Sequence, residues 1–314
     1  MLPEMIIDCL DSTITQQVEP AFTEYVKRQP TTKWLMFSDY VLGHPGRPND
    51  TFAFSLMPGG VHLDPLNADF AAIATKDLKD TGVVDDSMLR LLADERLFNF
   101  CFIVNPSRKI VPNIATLRQM MDQSIAMLES CDGAETHKKV IGQFKAMRNK
   151  AASSSFNVRL LENIILATTF AAFLTLLICK QVRAEAVGWF SDRDSITAAH
   201  QSIAKWFYGI DVSACCQRLM QGWRGPEILG VCGEAEGGSP LWCDAHLRVA
   251  DHVAGVVSAW DIEQHTLPAN PKYLQVFNEA IVDRPNVSLL QLHFNQQDNE
   301  ITVSASCVTA SRKS

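Results

Sequence analysis

Apolar residues in this chain form two kinds of stretch: short bulky runs bounded by turn residues, and longer runs with helical spacing. Two short runs, residues 34–37 and 187–190, each lead into a serine followed by an aspartate, Asp39 and Asp192. Short runs of aromatic and branched residues favour buried strands. Each aspartate is therefore predicted to stand at the end of a buried strand, at the rim of a sheet.

The same pattern predicts further strands and the helices between them. Strands are expected at about 33–41, 51–57, 99–104, 186–191 and 227–232, with a hairpin within 287–309 around the turn 295–299. Helices are expected over 1–30, most of 61–98, 113–183, 195–208 and 243–260. Residues 85–87 have short polar side chains that cap a helix running through Leu97. Gly133 and residues 151–155 are expected to break the long helical section.

The order of these elements predicts the fold class. Three strands in a meander, a helical section, and then a strand, helix, strand and helix are the order of the ribonuclease H fold. We therefore expect an α/β protein with a ribonuclease-H-like mixed sheet and flanking helices. Residues 1–32 would form a helical lead-in, and 33–265 the main domain with a helical insertion at about 113–183. Residues 266–314 would form a C-terminal extension with a β-hairpin.

Composition limits the classes of function. The chain has 314 residues, of which 47% are hydrophobic and 20% charged, and a formal net charge of -7. A protein that coats nucleic acid by bulk electrostatics is usually basic, so any nucleic-acid contact here needs a local basic patch or a metal ion. The nine cysteines are odd in number and scattered, which favours reduced thiols and a cytoplasmic location.

The longest apolar run, residues 164–179, is too short for a comfortable membrane span. A span needs roughly 20 apolar residues, and this run contains three threonines. We expect a helix buried within the protein and no membrane association. The first residues carry Glu4, Asp8 and Asp11 before any basic residue, unlike the start of a secretory signal.

A third aspartate, Asp251, lies within the apolar helical stretch 247–260. Clustered carboxylates repel one another and are costly to bury, so a cation or a proton must neutralise them. Mg²⁺ and Mn²⁺ prefer such oxygen ligands. We expect the carboxylates of Asp39, Asp192 and Asp251 within about 8 Å of one another, close enough to share one or two ions.

Four segments resemble the sequence motifs of a known family. They are Phe37-Ser38-Asp39-Tyr40 followed by residues 51–57; Lys76-Asp77-Leu78-Lys79; Phe190-Ser191-Asp192-Arg193-Asp194; and Leu247-Arg248-Val249-Ala250-Asp251-His252-Val253-Ala254-Gly255. In this order they resemble the family known as domain of unknown function 3800, a ribonuclease-H-like group. The last segment is the most specific match, with small residues that would let its helix approach the sheet closely. The resemblance implies the fold, and implies Asp77 as a fourth carboxylate.

The chain departs from the family at three points, one of which is that the family's strand-one glycine is displaced unless Gly43 or Gly46 serves. Tyr40 stands where the family has a glutamate, and Asp77 is one methylene shorter than the family's glutamate. Asp194 competes with Asp192 for the ligand role, although it could instead cap the helix that starts at Ser195. A salt bridge to Arg248 is the structural alternative for Asp251.

Basic residues form a second candidate feature. Lys79 would bind phosphate beside the acids, and a cluster in the helical insertion offers a weak nucleic-acid handle, equally explained as a solvated helix face. Its members are Lys138, Lys139, Lys145, Arg148, Lys150 and Arg159. A zinc site made by Cys232, Cys243 and His246 with Cys215 or Cys216 is disfavoured, because the spacing fits no common zinc motif. His44, His62 and His252 are weaker candidates still, as general bases.

Two function hypotheses follow. The first is a divalent-metal-dependent nuclease or phosphodiesterase, in which Asp39, Asp77, Asp192 and Asp251 hold Mg²⁺ or Mn²⁺. The second is a non-catalytic ribonuclease-H-like binding or scaffold protein with a degenerate metal site. Nucleic acid is the expected partner, and a homo-oligomer stays open.

Overall fold

The structure is a computed structural model, and it describes residues 2–60, 63–130, 137–192, 194–230, 241–297 and 300–310. The strands are β1 Lys33–Val41, β2 Asp50–Pro58, β3 Phe98–Val104, β4 Ala186–Ser191, β5 Glu227–Gly230, β6 Val287–Gln297 and β7 Glu300–Val308. The helices are α1 Leu2–Gln17, α2 Glu19–Arg28, α3 Leu63–Ile73, α4 Asp86–Leu92, α5 Ile114–Ser130, α6 Lys138–Lys150, α7 Val158–Gln181, α8 Ser195–Ser202, α9 Ala204–Leu219, α10 Asp244–Ala259 and α11 Pro271–Val276. A short 3-10 turn covers Leu78–Asp80 and a π-turn covers Phe277–Ile281.

The strands form one seven-stranded mixed sheet in the order β5-β4-β1-β2-β3-β6-β7. β1, β2 and β3 are antiparallel neighbours, and β4 and then β5 run parallel to β1. At the other edge β6 runs parallel to β3, and β7 returns antiparallel to β6. The predicted α/β class with a mixed sheet is confirmed, and the C-terminal hairpin continues this same sheet.

Successive side chains of β1 point to opposite faces of the sheet, as strand geometry requires. Trp34 and Met36 enter a core shared with α1, α2 and α5 to α9, here called the α7 face. Leu35 and Phe37 enter a second core shared with α3, α4, α10 and α11, here called the α10 face. The described residues therefore form three layers, with helices on both sides of the sheet.

The long apolar run lies inside α7, as predicted. This helix is 24 residues long, and all of its residues from Ile164 to Cys179 are buried. Among the described residues it is the one helix long and apolar enough to cross a membrane, and 94% of its apolar window is buried inside the protein. The prediction of a buried core helix is confirmed.

The predicted end at Leu97 of the helix capped by residues 85–87 is wrong. α4 begins after Asp85, whose side chain accepts from the Met88 N–H as expected of a cap, but it stops at Leu92. The Asp94 carboxylate then accepts from the Arg96 backbone and side chain, which forms a local turn. The turn leads directly into β3. The helix therefore ends early because the Asp94–Arg96 contacts stabilise a turn in place of another helical turn.

The predicted single helix 195–208 is also wrong. His200 and Gln201 have positive φ angles of 49° and 60°, so α8 breaks there and α9 runs on to Leu219. Contacts with other elements hold this kink: the His200 ring stacks on Phe156, and Gln201 accepts from Gln143 of α6. The predicted helical section 113–183 does break at residues 151–155. Gly133, residues 231–232 of the predicted fifth strand, and turn residues 298–299 lie outside the described residues.

Candidate metal centre

The repeated Phe-Ser-Asp sequence reflects the pairing of β1 with β4. The two strands are parallel neighbours in a register that sets Phe37 opposite Phe190 and Ser38 opposite Ser191. Asp39 and Asp192 come next on the two strands, at the same edge of the sheet. Two strand-end aspartates that are far apart in sequence are thereby placed side by side.

The serines of the repeat secure this edge from the opposite face. The Tyr40 hydroxyl lies 2.7 Å from Ser38 Oγ and accepts from Ser191 Oγ at 3.1 Å, while the Trp189 indole N–H donates to Ser38 Oγ. This buried network joins the two strands on the α7 face. Tyr40 therefore uses its hydroxyl to join the two strands.

α10 lies against the strands that carry these aspartates. Ala250 and Ala254 are fully buried, and the Thr51 hydroxyl donates to the Ala254 carbonyl oxygen at 3.0 Å. Gly255 has a different partner from the one expected, because an added Cβ there would lie 2.6 Å from Leu78 Cδ2. The two alanines thus let α10 lie close to the sheet, whereas Gly255 lets it lie close to the 3-10 turn.

The 3-10 turn binds Asp251 directly. The Leu78 backbone N–H donates to Asp251 Oδ2 at 2.6 Å. The buried Lys272 ammonium donates to the Leu78 carbonyl oxygen at 2.7 Å. A chain of two hydrogen bonds therefore runs from α11 through the turn to the Asp251 carboxylate, and it brings Asp77 to the same place.

The Asp39 and Asp251 carboxyls lie close together and interact electrostatically. The Tyr40 backbone N–H donates to Asp39 Oδ1 at 2.8 Å, and His252 Nδ1 lies 3.7 Å from Asp251 Oδ2. Burial, followed by the charge of Asp251, raises the pKa of Asp39 well above its ordinary value. Burial likewise raises the pKa of Asp251, against the opposing effect of the Leu78 N–H. Raised pKa values at two adjacent carboxyls favour a proton on one of them or a cation beside them.

A cleft of about 370 Å³ contains all four predicted acids. It is lined by Asp39, Tyr40, Asp77, Lys79, Asp192, Asp244, Leu247, Arg248 and Asp251. Sequence reasoning missed Asp244, which stands in the first turn of α10. Its spacing of four and seven residues from Arg248 and Asp251 is the signal that could have found it, since these positions share a helix face.

The cations in this cleft contact one acid at its edge. Asp77 pairs with the Lys79 ammonium at 3.3 Å and with Arg248 Nε at 3.4 Å. Arg248 also donates to the Ala74 carbonyl oxygen, so its guanidinium binds Asp77 rather than the expected alternative partner, Asp251. Asp77 precedes the 3-10 turn and its side chain is 37% exposed, whereas Asp39 and Asp251 lie deeper.

Asp194 acts as a helix cap. Its carboxylate accepts from the Ile196 and Thr197 backbone N–H groups, and the Thr197 side chain completes a capping box. Asp192 lies exposed at the rim and lines the cleft. The geometry therefore favours Asp192 over Asp194 as a ligand.

The acids as they stand do not yet form a tight ligand cage. Within the described residues, no group of three or more histidine, cysteine, aspartate or glutamate side chains is arranged to hold an ion. The donor chemistry nevertheless fits a hard divalent cation, because every candidate ligand offers carboxylate oxygen. Small side-chain rotations that part the Asp39 and Asp251 carboxyls would be needed to bind one.

The other basic candidates lie away from the cleft. Lys138, Lys139, Lys145, Arg148 and Lys150 belong to α6, whose apolar side packs on the α7 face. Lys145 pairs with Glu129 and Arg148 with Asp122, so part of this charge is neutralised within the helical layer. Only Lys79 of the seven basic candidates lines the acidic cleft.

The disfavoured zinc set is not brought together. Cys215 and Cys216 lie in the core of the α7 face, whereas Cys243 lies in the core of the α10 face. Cys232 and His62 lie outside the described residues. The His252 Nδ1 lies 2.7 Å from the Arg248 carbonyl oxygen and is buried in α10. His44 accepts from the Gly46 N–H in an exposed turn.

Comparison of the chain with protein-family models, with curated proteins and with solved structures finds no match.

Proposed function

We propose that this chain is a ribonuclease-H-like, divalent-metal-dependent nuclease or phosphodiesterase. Its strand order supports the fold: β3-β2-β1-β4-β5, with an antiparallel meander followed by two parallel strands, is the order that the family resemblance implies. The hairpin β6–β7 would then be an addition at the β3 edge.

The observation that carries the proposal is the convergence of carboxylates from four separate segments in one cleft. Asp39 comes from β1, Asp192 from the end of β4, Asp251 from α10 and Asp77 from the 3-10 turn. Burial and the neighbouring charge raise the pKa of Asp39, and burial raises the pKa of Asp251, which favours a proton on one of them. Replacing that proton by a cation would let both carboxylates ionise and would relieve their repulsion.

In this proposal Asp39 and Asp251 hold the ion, Asp192 completes the set from the rim, and Asp77 contributes from the edge. Mg²⁺ or Mn²⁺, when bound, would supply a water of lowered pKa and offset the charge that develops on the leaving oxygen. The Leu78 N–H fixes the orientation of Asp251. Lys79, held at the mouth by Asp77, is positioned to neutralise a substrate phosphate.

A second candidate is a ribonuclease-H-like scaffold with a degenerate site. The ion pairs of Asp77 with Lys79 and Arg248 favour it, because they neutralise one of the four acids without a metal. On that hypothesis the cleft is a remnant, and the protein acts by binding. Nucleic acid as partner and a cytoplasmic location remain predictions under either candidate.

The test is metal-dependent cleavage of single-stranded DNA, RNA and a hybrid duplex by wild type and by Asp251→Asn. Asparagine keeps the size of the side chain and removes the charge that balances the ion, so we expect cleavage with Mn²⁺ to be lost. Thermal melts should show that wild type gains melting temperature with Mn²⁺ and that the variant gains much less.

Asp194→Ser provides a matched control, because serine can keep the helix cap while removing a nearby carboxylate. It should retain cleavage. Wild type that neither cleaves any of these substrates nor gains stability with Mn²⁺ would favour the scaffold. An Asp251→Asn variant as active as wild type would remove Asp251 from the mechanism.

A further inference from the structure

A stack of four rings lies beside the acidic cleft on the α10 face. Phe190 stacks on Phe37 at 5.6 Å between ring centroids, Phe37 on His246 at 4.7 Å, and His246 on Phe70 at 4.2 Å. The interplanar angles are 24°, 20° and 18°, so the rings are nearly parallel. All four rings are held by the sheet or by helices and form a rigid support.

Trp242 lies across the edges of this stack. Its ring is tilted by 78° to Phe190, 78° to Phe37 and 63° to His246, at centroid distances of 5.0, 5.9 and 5.7 Å. These three T-shaped contacts fix the indole against the stack. Trp242 is nevertheless 52% exposed, so about half of its surface is open to solvent.

The indole is adjacent to the acids through both strands and α10. Phe37 and Asp39 are two residues apart on β1, so they point to the same face at a spacing of about 6.6 Å. Phe190 precedes Asp192 by the same two residues, and Trp242 precedes Asp244 by two.

We propose that the exposed part of the Trp242 indole stacks on an unpaired nucleobase of a single-stranded nucleic acid whose phosphate lies at the acidic cleft. This rests on the proposed function, and it names the substrate class as single-stranded. An aromatic face accepts any base once it is unstacked, whereas bases inside a duplex have both faces covered. A support of packed rings lowers the entropic cost of such stacking, because the platform is already ordered.

The test compares binding of a base-bearing oligonucleotide with an abasic one of equal length and charge. Labelled 12-mers of thymidine, uridine and an abasic deoxyribose analogue would be titrated by fluorescence anisotropy. Each titration would be done in Ca²⁺, which takes the same oxygen ligands, and again with EDTA. Wild type should prefer the base-bearing strands, and Trp242→Leu should weaken their binding about 5- to 150-fold. Binding of the abasic strand should change little.

Two variants make the result specific. Trp242→Phe keeps an aromatic face and should retain most of the preference. Trp206→Leu removes a partly buried tryptophan of α9 on the α7 face and should leave the preference unchanged. Thermal melts of every variant identify any that fail to fold, and the Trp242→Phe comparison still decides if Trp242→Leu is among them.

Equal affinity of wild type for the base-bearing and abasic strands, or no binding of any strand, would overturn the inference. An equal loss for both strands in Trp242→Leu would also overturn it, because that loss reports general damage. Mn²⁺-dependent stabilisation, measured separately, tests the metal site alone, and its absence would rule that site out. A preference for base-bearing strands that persists in EDTA would still support stacking on Trp242. Comparing thymidine with uridine strands tells whether the sugar matters.

Discussion

Two carboxylate sites lie at the same edge of the sheet, on opposite faces, and they are neutralised in different ways. On the α10 face, Asp39 and Asp251 are neighbouring, electrostatically interacting carboxyls inside an acidic cleft. On the α7 face, Asp50 at the start of β2 pairs with Arg108 at 2.6 Å, and both side chains are only 1% exposed. The Gly43 N–H donates to the second oxygen of Asp50.

The difference teaches that a buried carboxylate at a strand end is not by itself a candidate ligand. Asp50 has its balancing charge within the protein, and Arg108 is further fixed by Asn163. Asp39 accepts from the Tyr40 backbone N–H, Asp251 accepts from the Leu78 N–H, and His252 Nδ1 lies 3.7 Å from Asp251. Among the contacts described, neither carboxylate pairs with a lysine or an arginine. The cleft therefore needs a proton or an added cation, while the Asp50 site is complete.

The largest expected effect comes from breaking the Asp50–Arg108 pair. Arg108→Met would leave the buried Asp50 charge with only the more distant Arg159 guanidinium, at 3.7 Å, and should lower the free energy of unfolding by about 3–5 kcal/mol. Arg248→Met, which removes a partly exposed partner of Asp77, should cost less than about 1 kcal/mol. Urea unfolding of both variants measures this, and equal losses would contradict the contrast between the sites.

Asp211 provides a third way of neutralising a carboxyl. It is fully buried in α9, burial raises its pKa to about 8, and its Oδ2 has no hydrogen-bond partner within the described part of the chain. Between its unfolded pKa and 8 the folded state binds more protons than the unfolded state, so its contribution to stability falls as pH rises. The slope is at most about 1.4 kcal/mol per pH unit.

Asp211→Asn should therefore flatten the fall in stability between about pH 5 and 8. The variant would gain on wild type as pH increases, because asparagine cannot ionise. Thermal melts of both proteins across this pH range measure the difference. A wild-type minus variant difference that does not change with pH would show that Asp211 is not held protonated.

The hydrogen-bond chain from α11 to Asp251 should affect the metal and not only the fold. Lys272→Met removes the donor to the Leu78 carbonyl oxygen, and loss of such supporting contacts typically lowers metal affinity 10- to 100-fold. Lys272→Arg keeps a donor and should recover part of the affinity. Calorimetric titration with Mn²⁺ is the readout, and lower stability with unchanged affinity would assign Lys272 a structural role alone.

The smallest expected effect is that the same substitution raises the free energy of unfolding at Asp39 and lowers it at Asp50. Without metal, Asp39→Asn should raise the free energy of unfolding near neutral pH by about 1 kcal/mol, because it removes one of two repelling carboxyls. Asp50→Asn, the same substitution across the sheet, should lower it, since Arg108 loses its partner. Melts in EDTA compare the two, and a matching loss in both would end the distinction.

Local pattern was enough to predict most strands and three of the acids. Asp39 and Asp192 follow apolar runs, and Asp251 interrupts an apolar helix, so each departs visibly from its surroundings. Asp77 came from the family resemblance, because its exposed loop has no periodicity. The broken helix at His200 depends on contacts with Phe156 and Gln143, and no local signal encodes those.

The Asp50–Arg108 pair could not be predicted from the sequence for a similar reason. Asp50 and Arg108 are 58 residues apart, and their union depends on how β2 meets the chain after β3. The partner of Gly255 was also missed, because Leu78 approaches from a turn that only the tertiary structure brings there. Pattern identifies which residues are unusual, whereas charge balance needs coordinates.

The most direct test of the central claim is anomalous scattering from a crystal of the protein grown with Mn²⁺. We expect one or two manganese peaks between the carboxylates of Asp39, Asp251 and Asp192. Manganese absent from this cleft while bound elsewhere, or the Lys79 or Arg248 cation seated between Asp39 and Asp251, would contradict it.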